Sequence, residues 1–158
     1  MGTNIEVTAE DGNIFSAYLA EPEASPKGAL VVVQEIFGVN SHIRSVVDGY
    51  AEKGYVVIAP ALFDRVQKNV ELEYDETGIE EGRRIAFEGV TMDQVIIDIK
   101  GACEAVSYAG KIGIVGYCWG GTISYVAAAR LSDKISAASG YYGGQIMPHI
   151  EEEPKAPL

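Results

Sequence analysis

The chain has 158 residues, of which 47% are hydrophobic and 22% charged, enough for one globular domain with a core and too few for two comfortable ones. Its formal net charge of −11 argues against nucleic acid or an anionic membrane as a partner, because phosphate binding needs a basic face. The N-terminus, MGTNIEVTAEDG, lacks the basic and apolar regions of a secretion signal, GALVVVQEIFGV is too short and interrupted to span a bilayer, and two cysteines are too few for a disulfide scaffold, so a reduced cytoplasmic domain over residues 1–158 is expected.

Ile5 and Val7 alternate with polar neighbours, Asp11-Gly12 supplies a turn, and Phe15, Ala17 and Leu19 alternate again, which predicts an antiparallel hairpin. After the polar connector EPEASPKG the strands stop alternating. ALVVVQ, YVVIAP and KIGIVGY are continuous apolar runs, as a parallel sheet covered on both faces requires. Ile43, Val46, Val47, Tyr50 and Ala51 follow a helical stripe, with Asn40 or Ser41 as cap and Gly54 as stop. The acidic stretch DRVQKNVELEYDETGIEEGRRIA fits neither period and reads as a loop passing into a short surface helix. Met92, Val95, Ile96, Ile99, Cys103 and Val106 form a second stripe. A third helix is expected just after Cys118, running through Ala129 or Leu131, before a strand in ISAASGYYG.

This order predicts an α/β domain whose mainly parallel sheet follows an N-terminal antiparallel hairpin. EEEPKAPL reads as a polar connector and the first residue of another strand. The sheet is therefore expected to be C-terminally incomplete, with an edge and part of a face to be covered by self-association or by a further segment.

The stretch GYCWGG, between an apolar strand and a small-residue helix, fits the pattern G-x-nucleophile-x-G with cysteine as the nucleophile. A strand that turns sharply into a helix strains the residue at the tip and leaves no room for Cβ atoms two positions to either side, which explains Gly116 and Gly120. The positive end of the following helix would favour a thiolate on Cys118 and an oxyanion beside it. The competing readings are a phosphate-binding turn or a small packed cysteine. Neither the dinucleotide glycine spacing nor the phosphate-loop Lys-Ser/Thr pair is present. Cys103, on an apolar helical stripe, reads as core. Glu35 ends an apolar strand on the side where ligand crevices form in open α/β sheets. It faces the thiol, sits in solvent at the rim, or caps the next helix; spacing alone leaves these open.

QEIFGVN, GYVVIAPALF, KIGIVGYCWGG and SGYYGG, in this order and spread over nearly the whole chain, resemble the dienelactone hydrolase family of α/β-hydrolases. The resemblance implies an ester or lactone hydrolase of the carboxymethylenebutenolidase type. Cys118 would be the nucleophile, and Glu35 would contact and activate the resting thiol. The backbone N–H groups of Ile36 and Trp119 would form the oxyanion hole. Arg83 or Arg84 would hold a substrate carboxylate. The substrate would be a small ester or lactone, with no metal and no organic cofactor.

The family's triad acid and histidine follow the nucleophile in a region beyond KAPL. Asp133 comes too early, and neither His42 nor His149 matches the family's base. The chain is thus expected to hold nucleophile, glutamate and oxyanion donors and to turn over slowly. A second reading is a non-catalytic module that binds a partner or another copy of itself through its exposed sheet edge. A redox thiol ranks last, because no resolving cysteine lies near Cys118 in sequence.

Overall fold

In the computed structural model, which describes residues 1–158, the first two strands pair as the alternation predicts. β1 (Thr3–Thr8) and β2 (Ile14–Ala20) run antiparallel with Ile5 opposite Ala17 and Val7 opposite Phe15. Phe15 and Ala17 are buried, and Gly12 turns the hairpin with φ +85°. The remaining strands are β3 (Ala29–Val33), β4 (Val56–Pro60), β5 (Ile112–Tyr117) and β6 (Ile135–Tyr141). One six-stranded sheet results, in the order β1-β2-β4-β3-β5-β6, with β4, β3, β5 and β6 mutually parallel. This is the mainly parallel sheet behind an antiparallel hairpin that the apolar runs imply.

The helices cover the two faces unequally. α1 (Ser41–Glu52) lays Ile43, Val47 and Ala51 on one face, over Val32, Val57 and Val115. Its cap is Asn40, whose side chain accepts from the Ile43 N–H, and Gly54 follows at φ +98°. α3 (Met92–Ala105) and α4 (Trp119–Arg130) cover the other face, where Phe15, Ile58, Ile99, Cys103, Ile123 and Val126 belong to the larger core. A capping box of Thr91 and Gln94 starts α3. In α4 every residue from Trp119 to Ala129 is buried, so its run of small side chains carries no polar stripe.

The acidic stretch that defeats periodicity resolves into three pieces. A 3-10 turn spans Leu62–Arg65, α2 runs Glu76–Arg84, and a π-helical turn follows at Ile85–Gly89. Arg65 makes two parallel hydrogen bonds to Asp98 (2.7 and 2.8 Å), with a third contact to Asp11 at 2.8 Å. Asn13 also donates to Asp98, at 3.2 Å. This cluster ties the hairpin turn to α3, and it satisfies a carboxylate that is fully buried.

At the far edge, β6 pairs with β5 alone, and its residues after Ile135 are exposed except the half-buried Ala138. The C-terminal residues return alongside it: Ala138 N–H donates to the Pro157 carbonyl at 2.7 Å. No helix is long and apolar enough to cross a membrane.

Candidate active site

The Gly-x-Cys-x-Gly stretch forms the bend that its glycines predict. Cys118 sits between β5 and α4 at φ 55°, ψ −117°, a region that costs about 1–3 kcal/mol for a residue with a Cβ. A Cβ on Gly116 would lie 1.9 Å from the Gly120 carbonyl oxygen, and one on Gly120 would lie 2.4 Å from that of Val33. Both distances are impossible for real atoms, so the elbow helix rests directly on the end of β3. The Cys118 N–H is anchored by the Tyr141 carbonyl at 3.0 Å. The thiol is half-buried and opens into a cleft, whereas Cys103 is wholly enclosed in the core.

The loop after β3 is held in place from three sides. Gln34, fully buried, donates from Nε2 to the Glu35 carbonyl at 3.1 Å and accepts the Leu62 N–H at 3.2 Å. The Ile36 carbonyl lies against α2 so closely that a Cβ on Gly82 would come within 2.0 Å of it. The backbone N–H groups of Ile36 and Trp119 have no intramolecular acceptor, although both residues are buried. Two unmatched donors, beside a strained thiol at a helix N-terminus, are what an anionic oxygen requires.

Glu35 is half-buried and does not line this cleft, and two tyrosines hold it. Tyr74 donates to Oε2 at 2.7 Å and Tyr142 to Oε1 at 3.4 Å. No hydrogen bond joins the carboxylate to Cys118, so the direct thiol–glutamate contact implied by the family resemblance is replaced here by the tyrosine contacts. Nor does Glu35 cap α1, a role that Asn40 fills. Burial pushes the Tyr74 phenol up to about 12; the Asn40 hydrogen bond opposes the shift and Glu35 reinforces it. Burial likewise raises Tyr142, with Glu35 and then Cys118 adding to it. Tyr142 adopts φ +43° on the turn after β6, and Tyr141–Gly143 packs closely on Gly121 and Thr122 at the start of α4.

The cleft encloses about 380 Å³, with Ile36, Phe37, Ile79, Phe87 and Trp119 as apolar walls beside Cys118 and Arg83. Ile79, Arg83 and Phe87 recur every fourth residue along α2 and the π turn and so share one face. The two candidate arginines separate. Arg83 lines the cleft, while Arg84 is engaged by Glu81 at 2.6 and 2.8 Å on the surface.

Neither histidine lines this cleft. His42 packs edge-on to the Tyr74 ring at 6.5 Å, and His149 contacts Glu152 at 3.0 Å. Arg130 and then His149 hold the Glu152 carboxyl down at about 2.

Of the residues expected around one strand-end crevice, Cys118, Ile36 and Trp119 line the cleft and Glu35 does not, and sequence reading missed Gln34, Tyr74 and Tyr142. Gln34 left a signal, as a polar residue closing an apolar strand. Tyr74 left none, because it lies in the stretch without a period.

The sequence model of the dienelactone hydrolase family matches residues 15–157. Over 153 residues the chain is 36% identical to a proposed carboxymethylenebutenolidase of Synechocystis, covering 90% of this chain and 59% of that protein. Over 156 residues it is 30% identical to the carboxymethylenebutenolidase of Pseudomonas putida, covering 96% and 65%. The chain thus spans about three-fifths of the length of these relatives. A crystal structure of a proposed dienelactone hydrolase from Klebsiella pneumoniae superposes with a TM-score of 0.73 at 32% identity, over 89% of this chain and 60% of that one.

Proposed function

The chain belongs to the dienelactone hydrolase family, and from that premise we propose that it transfers the acyl group of a small ester or lactone onto Cys118. The sulfur adds to the substrate carbonyl carbon, and the carbonyl oxygen, now anionic, accepts hydrogen bonds from the N–H groups of Ile36 and Trp119. Collapse of this adduct breaks the carbon–oxygen ester bond. The released oxygen takes up a proton, and the acyl group remains as a thioester on Cys118. The proton the thiol loses is the one the released oxygen gains, and the Glu35 carboxylate, by its distance from the sulfur, sets how readily the thiolate forms. Water then hydrolyses the thioester.

The apolar walls suit a flat unsaturated or aromatic skeleton. Arg83, the cationic residue among the cleft's lining, suits a substrate carboxylate. The second half of the cycle needs a base to activate water, and the cleft is lined by neither His42 nor His149. For the 158-residue chain, acylation is therefore expected to outrun hydrolysis of the thioester.

The observation that carries this reading is a thiol held at φ 55° in the same cleft as Ile36 and Trp119, whose backbone N–H groups have no intramolecular acceptor. Incubation with an activated ester and intact-mass detection test it. One acyl adduct is expected on the wild-type chain and none on Cys118→Ala. An adduct that survives in Cys118→Ala, or its absence from both proteins while the thiol still alkylates, overturns the assignment.

A further inference from the structure

The Glu35 carboxylate is held by side chains, and the hydrogen bonds around it have a fixed direction. Asn40 uses its Oδ1 to accept the Ile43 N–H at the start of α1 (3.1 Å), which fixes the orientation of its amide. The Nδ2 then donates to the Tyr74 hydroxyl oxygen at 3.2 Å. With that oxygen already accepting, the Tyr74 proton is directed to Glu35 Oε2, 2.7 Å away. The Phe37 ring, 4.3 Å from the Tyr74 ring at a 41° tilt, limits its movement. Tyr142 closes on the other carboxylate oxygen from the end of β6. A chain of donors thus runs from the α1 cap to the carboxylate, and neither of the two tyrosine contacts leads to sulfur.

We propose that Tyr74 is a positioning residue whose hydroxyl, seated by Asn40, latches the Glu35 carboxylate away from Cys118. The inference rests on Cys118 being the nucleophile. A carboxylate that reached the sulfur would disfavour its ionised form by like-charge repulsion and would hold the S–H in a hydrogen bond. With the latch closed, the thiol stands clear of that charge. A conformational change that breaks the Tyr74 bond releases the carboxylate toward sulfur and lowers the reactivity of the thiol. Tyr74 and Tyr142 face the carboxylate, Arg83 of α2 lines the cleft with Cys118, and His42 packs edge-on to the Tyr74 ring.

Iodoacetamide alkylation of Cys118, followed by mass spectrometry from pH 5 to 9, reads the latch without requiring turnover. Tyr74→Phe is expected to slow alkylation at pH 7 by about five- to tenfold and to move the profile toward higher pH by roughly one unit. Tyr142→Phe, which loses a longer hydrogen bond, should slow it about twofold. The decisive comparison is the double variant. In a Glu35→Gln background no carboxylate remains to release, so Tyr74→Phe should change nothing. Alkylation of Tyr74→Phe at the wild-type rate or faster overturns the proposal. So does a slowing that persists in Glu35→Gln, which would assign Tyr74 to packing. Because alkylation needs only an accessible thiol, the two readings fail separately: a missing acyl adduct with this cycle intact counts against acyl transfer by Cys118, and a wild-type alkylation rate in Tyr74→Phe counts against the latch.

Discussion

The two cysteines are the same residue in opposite physical settings, and backbone geometry separates them. Cys103 lies inside α3, fully enclosed by the larger core, and burial pushes its thiol up to about 12. Cys118 lies at φ 55° on the bend before α4, half-buried and facing the cleft. The core around Cys103 is held by side-chain packing, which tolerates small changes at modest cost. The elbow around Cys118 is held by backbone atoms in mutual contact, which tolerate almost none. Under the proposed function, reactivity in this chain depends on where the backbone is strained and has open space in front of it, and only secondarily on residue type.

The harshest way to break the contrast is Gly120→Ala. The added methyl would meet the Val33 and Gln34 carbonyl oxygens at 2.4 and 2.6 Å, both backbone atoms. Either α4 lifts from β3 or the loop carrying Ile36 is displaced. A loss of more than about 4 kcal/mol in urea denaturation is expected, together with the loss of selective Cys118 alkylation. Native stability and wild-type labelling in this variant would mean that the elbow does not depend on backbone contact.

Asp98→Asn should act on the other region alone. Asp98 and Cys103 lie on the same helix, and Asp98 is the buried end of the Arg65 pair. Replacing the carboxylate leaves a mostly buried guanidinium with Asp11 as its charged partner, and about 3 kcal/mol of stability should be lost. Cys118 alkylation by iodoacetamide should be unchanged, because none of Asp11, Arg65 and Asp98 lines the cleft. A changed alkylation rate would show that the two regions are coupled.

The contrast also separates what was legible in the sequence from what was not. The sheet was readable because its central strands are continuous apolar runs, a pattern that few other arrangements produce. The elbow was readable because only glycine satisfies its steric limits, so Gly116 and Gly120 mark Cys118 without any knowledge of the fold. Glu35 was legible as an anomaly, a charge at the end of an apolar strand, but its partners were not. Tyr74 is 39 residues away in an aperiodic stretch, and Tyr142 is 107 residues away beyond β6. Hydrogen bonds between distant side chains leave no periodic trace. The same holds for Arg83 and Arg84: adjacent in sequence, they are sorted only when α2 turns one to the cleft and the other to Glu81.

The gentlest test works on Cys103 through pH. Cys103→Ala removes one buried atom from the core and is expected to cost about 1 kcal/mol at neutral pH, near the cost of removing a single methylene. Burial keeps the native thiol protonated up to about 12, against an ordinary value of 9.0. Below pH 9 folded and unfolded chains are both protonated at this site, and the wild type keeps its full advantage. Between about 9 and 12 only the unfolded chain releases the proton, so wild-type stability falls with rising pH by up to about 1.4 kcal/mol per unit. The variant has no thiol to release there. Tyrosines with raised values push stability in the same direction in both proteins and cancel in the difference. The gap between wild type and Cys103→Ala should therefore close within roughly one unit above pH 9 and then reverse. A gap that stays constant across that range in urea titrations would mean that Cys103 ionises in the native state. It would then be far more open to solvent than a core thiol, and the two cysteines would differ less than their backbones suggest.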